Sequence, residues 1–140
     1  MRISRIYIKG KNKQKFVKAA DLNEDIGIIG NDIPKKDHRQ IAIFSEEGRR
    51  EIEKLETQGL CTKRFQENIT IQDLKVQDVV IGDKFTIGEI VLEITELGKK
   101  CYNDCPLIKA KSPCPLTKGV IYARVLSGGS INIEDIIIKN

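Results

Sequence analysis

A chain of 140 residues and 15.8 kDa has the length of one ordinary domain and can bury a core without disulfides or a structural metal. Hydrophobic residues at 40% and charged residues at 31% exclude disordered and fibrous classes. The balance of 24 Lys and Arg against 20 Asp and Glu, with three Tyr, four Phe and no Trp, argues against a nucleic-acid partner, which needs basic surface and aromatic stacking. The cluster Lys9, Lys11, Lys13, Lys15 and Lys18 reads as a solvated turn. No run approaches the roughly eighteen apolar residues of a membrane span, and MRISRIYIKG lacks the apolar core of a leader. Four cysteines are too sparse for a disulfide scaffold, so a cytoplasmic chain with reduced thiols is expected.

In chain order, Ile3 to Ile8 reads as a strand that ends at Gly10, and a second strand begins near Phe16. Residues Asp21 to Lys36 hold Gly27, Gly30, Asn31, Asp32 and Pro34, a density of breakers that predicts an irregular loop. Arg39 to Phe44 reads as a strand. Ser45 then caps a helix from Glu46 to Gln58, with Ile52 and Leu55 facing inward and Gly59 as its stop. Strands follow at Asn68 to Ile71, Phe85 to Ile87 and Ile90 to Ile94, the last two joined through Gly88-Glu89 as a type II′ hairpin. Val120 to Leu126 and Ile131 to Ile138 flank Gly128-Gly129, a second hairpin signal. With no repeat, low-complexity tract or linker, residues 1–140 read as a single domain. It is expected to be mainly β, a barrel or sandwich, with one principal helix and a long cysteine-containing loop.

That loop, GKKCYNDCPLIKAKSPCPLTKG, is where chemistry is expected, because loops of this length in a compact domain tend to be functional. Cys101, Cys105 and Cys114 are spaced Cys-x3-Cys-x8-Cys, unlike the paired Cys-x2-Cys of structural zinc sites. A zinc or iron–sulfur site, completed by Cys61 or His38, is therefore a third-ranked reading. Lys99 and Lys100 directly precede Cys101 and favour its thiolate, which makes it the expected reactive cysteine or soft-metal ligand. Cys61 reads as a small core hydrophobe. His38 is the sole histidine, so mechanisms needing two are excluded; in Asp37-His38-Arg39-Gln40 it stands beside an arginine whose fork suits phosphate. Arg64 and Arg124 read as cations paired with nearby carboxylates. No nucleotide-binding glycine pattern occurs.

Four stretches in order resemble the MOSC family, named for the C-terminal domain of molybdenum cofactor sulfurase: Gly27 through Phe44, Arg64 through Ile71, Ile81 through Gly88 and Gly98 through Gly129. DHRQIAIF is similar to the family's HRQVSLL strand, RFQENITI to its F-x-EN-[IL] motif, and GKKCYNDC with YARVLSGG to its cysteine segment and final Arg-Val-Leu hairpin. The resemblance is to the small, stand-alone bacterial type. It implies a MOSC-like β-barrel that binds molybdenum cofactor or accepts sulfur, with the family cysteine at Cys101 and pterin or phosphate contacts at His38, Arg39 and Arg124. Two departures stand out: Gly30-Asn31-Asp32-Ile33 where the family often has Gly-Asp-x-His, and Glu134-Asp135 where Gly-Asp is common.

Two functions follow from that resemblance. In the first, Cys101 carries sulfur as a persulfide taken from a separate pyridoxal-phosphate-dependent cysteine desulfurase and delivers it to a metal–sulfur cofactor of a molybdoenzyme. This is sulfurtransferase-like activity with pyridoxal phosphate on the partner alone. In the second, the chain binds molybdopterin through His38, Arg39, Arg124, Lys99 and Lys100, with Cys101 as molybdenum ligand.

Overall fold

A computed structural model describes residues 1–10, 13–31, 39–54, 66–98 and 119–140. The isoleucine-rich N-terminus forms β1 (Arg2–Gly10), which returns antiparallel as β2 (Lys13–Val17) with Tyr7 opposite Phe16. Then come β3 (Ala19–Asn23), β4 (Gly27–Ile28) and β5 (Ile41–Ser45). The helix α1 (Glu46–Glu53) begins where Ser45 Oγ accepts the Gly48 N–H at 3.0 Å, and Glu46 and Glu47 place negative charge in its first turn. It is followed by β6 (Ile69–Gln72), a 3₁₀ turn at Val76–Asp78, β7 (Lys84–Ile87), β8 (Ile90–Leu97), β9 (Val120–Ser127), β10 (Gly129–Asn132) and β11 (Ile138–Lys139). Among the described residues no helix is long and apolar enough to cross a membrane.

Eight strands form one sheet in the order β11-β7-β8-β9-β5-β6-β1-β2, and three form another, β10-β3-β4. Among the described residues only β5 and β6 pair in parallel, with Ile43 opposite Ile69, because α1 lies on the connection that carries the chain back to start β6 in the same direction. Period-two alternation sorts the side chains. Ile41 and Ile43 of β5, with Ile121 and Ala123 of β9, enter the main core beside Ile3, Ile69 and Phe85. Ala42, Phe44, Val120 and Tyr122 point the other way and pack with Ile52 of α1. Buried on both faces, β5 reads as the unbroken apolar run IAIF.

The expectation of a mainly β chain with one principal helix holds, and so does the β7–β8 hairpin: Ile87 pairs with Ile90 across Gly88, whose φ is 61°. Closure into a barrel is not seen among the described residues, since β11 and β2 end the large sheet. Its two ends nevertheless approach. Arg2 bridges to Ile136, the Ile3 N–H donates to Asp135 O at 3.0 Å, and the Ile137 N–H donates to Met1 O at 2.9 Å.

Two expectations are corrected, and a third falls partly outside the described residues. Gly128-Gly129 does not join a hairpin, because β10 pairs with β3 and β11 with β7, leaving β9 and β10 in different sheets. A Cβ on Gly128 would lie 2.5 Å from the Leu22 carbonyl oxygen, so glycine is what lets the chain cross between sheets there. Residues 21–36 are not wholly irregular, since β3 and β4 pair through Leu22 and Ile28; residues 32–38 lie outside the described residues. The described helix stops at Glu53 with Lys54 as its cap, and the expected extension from Leu55 to Gln58 lies outside the described residues.

Candidate functional site

Leu97 at the end of β8 pairs with Ile121 of β9, and the Gly98 N–H donates to Val120 O at 2.6 Å. The cysteine segment therefore leaves and rejoins the sheet at adjacent points. Gly119, at its return, passes so close to the core that an added Cβ would lie 2.6 Å from Phe44 Cε1. Of the site residues expected from sequence, Arg39 and Arg124 are described. His38, Cys61, Arg64, Lys99, Lys100, Cys101, Cys105 and Cys114 lie outside the described residues.

Arg39 precedes β5 and reaches across β9 to β8. Its Nε and Nη2 donate to Glu96 Oε2 and Oε1, both at 2.5 Å, and its guanidinium carbon stands 4.9 Å from the centre of the Tyr122 ring. Glu96 and Tyr122 are cross-strand partners, so the sheet register itself sets the carboxylate beside the ring. The two-point bond to Glu96 is the main cause holding the Arg39 guanidinium above its ordinary range, against the opposing effect of burial. Arg124 pairs with its own cross-strand partner Glu93, Nε at 2.8 Å and Nη2 at 2.7 Å from Oε1. Tyr122 and Arg124 are two apart on β9, which puts both arginines on the face that α1 partly covers. The structure thus brings Arg39 and Arg124 to one face, each with a carboxylate already in its fork.

Sequence reasoning did not assign roles to the polar residues that hold this face together. Glu67 is wholly buried; it accepts from Arg49 Nε at 3.3 Å and also from Arg49 Nη2, from Thr70 Oγ1 at 2.8 Å and from Gln66 Nε2 at 3.0 Å. Arg49 also lies 5.4 Å from the Phe44 ring centre, so this ion pair clamps α1 to the sheet. Asn68 accepts from the Ala42 N–H at 3.0 Å and donates to Tyr7 O at 3.3 Å, filling the gap where β6 begins between β5 and β1. Gln40 donates to Glu24 O at 2.9 Å and accepts from the Val125 N–H at 2.8 Å. The signal was present in the EN of RFQENITI and the Gln of DHRQIAIF, polar letters against apolar strands whose partners lie far along the chain. At the divergent glycine loop, Asn31 Oδ1 accepts from the Lys9 N–H at 2.8 Å, while its buried Nδ2 has no partner among the described residues.

A family model described as MOSC domain matches residues 30–138. The chain belongs to the MOSC domain family. Solved structures share the fold: YiiM from Escherichia coli at 20% identity and TM-score 0.65, covering 100% of this chain and 70% of that one, and YiiM from Geobacillus stearothermophilus at 18% and 0.66, covering 99% and 74%. The YuaD protein from Bacillus subtilis is similar at 16% and 0.67, covering 97% and 93%. Against another structure, titled a hypothetical protein, this MOSC domain spans 65% of the neighbour's length, at 18% identity and TM-score 0.67. No curated protein matches the chain.

The described part of this MOSC domain can be tested for fit to a phosphate-bearing pterin with molybdenum. Among the described residues no group of three or more His, Cys, Asp and Glu is placed to hold a metal. The forks of Arg39 and Arg124 both face carboxylates, so a phosphate at either would have to displace Glu96 or Glu93. Asn31 Nδ2 alone offers a buried donor suited to an oxygen acceptor. A hollow of about 620 Å³ lies at the β7–β8 turn, lined by Glu89, Ser130 and Asp135 among others, and it shares no residue with the arginine pairs. The described residues do not make a ready pterin phosphate site.

Proposed function

We propose that this MOSC domain is a molybdenum-cofactor-associated sulfur carrier acting in the cytoplasm, with Cys101 as the sulfur-bearing residue. The observation that carries the reading is the family match over residues 30–138, within which the cysteine segment is strung between β8 and β9. MOSC domains are generally associated with molybdenum cofactor. The occupied forks of Arg39 and Arg124 favour a carrier over a chain that holds the cofactor. In the same reading the eight-stranded sheet is a MOSC-like β-barrel with its seam at Arg2 and Ile136.

The Cys101 thiolate, favoured by Lys99 and Lys100, attacks the outer sulfur of a persulfide on a separate pyridoxal-phosphate-dependent cysteine desulfurase. The donor S–S bond breaks, the donor leaves as a thiolate, and a new S–S bond forms on Cys101, with no net oxidation. In the onward step the Cys101 S–S bond breaks, Cys101 leaves as a thiolate, and the outer sulfur is reduced to sulfide by two electrons from a dithiol, which becomes a disulfide, as it passes to the metal–sulfur cofactor of a molybdoenzyme, which is substrate here. The alternative is a molybdopterin-binding module in which His38, Arg39, Arg124, Lys99 and Lys100 hold the pterin phosphate and Cys101 binds molybdenum.

One experiment separates the two. The purified chain is incubated with a cysteine desulfurase and free cysteine, then mapped by peptide mass spectrometry, while a parallel sample is assayed for molybdenum and pterin. The carrier reading expects one reducible sulfur atom on Cys101, lost in Cys101→Ser. Stoichiometric molybdenum and pterin with no sulfur gain would overturn it in favour of the binding module.

A further inference from the structure

We infer that the β1–β2 hairpin is a docking edge for an extended, acidic segment of a partner protein. The charge of the chain is segregated. Residues 1–20 hold seven Lys and Arg (Arg2, Arg5, Lys9, Lys11, Lys13, Lys15 and Lys18) and no acid, so the other 17 of the 24 basic residues are outnumbered by all 20 Asp and Glu. Its described strands are β1 and β2, and it precedes the residues 30–138 matched by the family.

β2 ends the eight-stranded sheet, and among the described residues it pairs with β1 alone, so one row of its main-chain N–H and C=O groups faces outward. Lys15, Lys18 and Arg5 are exposed, and Phe16 is half exposed. An open strand edge accepts another strand through its main chain, while alternate side chains decide which strand. Period two places Lys15 and Val17 on one face of β2, and Gln14 and Phe16 on the other. The complement is an extended segment whose acids meet Lys15 and Lys18 and whose apolar side chains can lie beside Phe16.

The same features exclude other occupants. A second copy pairing edge to edge would set against each other two strands that carry basic residues and no acid. Tyr7 meets Phe16 in a T-shaped contact at 5.9 Å and 70°, which uses ring surface that stacked bases would need. The docking edge does not depend on the cysteine chemistry, so either proposal stands if the other falls.

The test is a titration of the intact chain with a fluorescein-labelled hexapeptide alternating Glu and Val, followed by anisotropy at low and high salt and by amide hydrogen exchange. Saturable binding is expected, weakened by salt, with slower exchange confined to residues 13–17. Lys15→Glu with Lys18→Glu should weaken it at least tenfold. Lys75→Glu with Lys84→Glu, the same charge change at exposed lysines elsewhere, should leave it within twofold. The inference is overturned if the alternating peptide does not bind, if binding survives reversal of Lys15 and Lys18, or if the hairpin instead takes a twelve-nucleotide oligo-dT or phosphatidylserine vesicles and ignores the peptide.

Discussion

Replacing Arg49 by Met tests whether the buried Glu67 pair is what fastens α1 to the sheet. Glu67 is 0% exposed and the Arg49 side chain 13%, so the substitution strands a carboxylate that water cannot reach. Breaking a buried pair from one side costs about 3–5 kcal/mol. Here the bonds from Thr70 and Gln66 persist, which places the loss near the lower end, while the contact of Arg49 with Phe44 adds about 0.5–1 kcal/mol. Met keeps the apolar stem over Phe44, so packing changes little. The sum is about 3–4 kcal/mol. With a urea slope of about 1.5 kcal/mol per M, the unfolding midpoint should fall by about 2 M with the slope unchanged. Far-ultraviolet dichroism through a urea series measures it. Glu67→Gln should be costly as well, and the double variant should lose less than the two singles combined, with a coupling of about 2 kcal/mol. Additive losses, or a cost under about 1 kcal/mol for Arg49→Met, would show that the pair does not hold the helix.

Asn68→Ala removes partners from the Ala42 N–H and Tyr7 O and should cost about 2–3 kcal/mol in the same assay. Arg39→Ala, losing a half-exposed pair and its place over Tyr122, should cost only about 1 kcal/mol; a loss of more than about 3 kcal/mol would mean the pair behaves as buried. Gly128→Ala forces a Cβ against the Leu22 carbonyl and should destabilise by about 2–3 kcal/mol, whereas Gly88→Ala, with open space but φ of 61°, should cost about 1 kcal/mol. Cys101 should alkylate fastest of the four thiols near neutral pH, and iodoacetamide labelling with peptide mass spectrometry would refute this if Cys61 or Cys114 led.

Local rules read the fold where local forces decide it. Ser45 marked the start of α1 because a cap is a contact between residues three apart, and Gly88 marked a two-residue turn for the same reason. Gly128-Gly129 misled because alternation tells which face a side chain takes, not which strand it lies beside, and Leu22 of β3 claims that position from far along the chain. β3 itself, AADLN, has little β propensity and is a strand because β10 pairs with it. Of the expected site residues Arg39 and Arg124 are described and share one face, and the acids filling their forks lie on β8, 57 and 31 residues away, where no local rule reaches. The expected ion pair of Arg124 with a carboxylate is present. The burial of Glu67 was invisible for a similar reason, since its counterion stands on a helix 18 residues earlier.

The bridge between Arg2 and Ile136 joins residues almost a full chain length apart. Its few main-chain bonds must overcome the loop-closure entropy of everything between them, so contact order alone makes it a late event in folding. Until residues 134–137 arrive, the first residues of β1 have only β6 beside them and present an open flank. The kinetic vulnerability of this molecule is therefore set not by its densest packing but by the few bonds where its two ends meet.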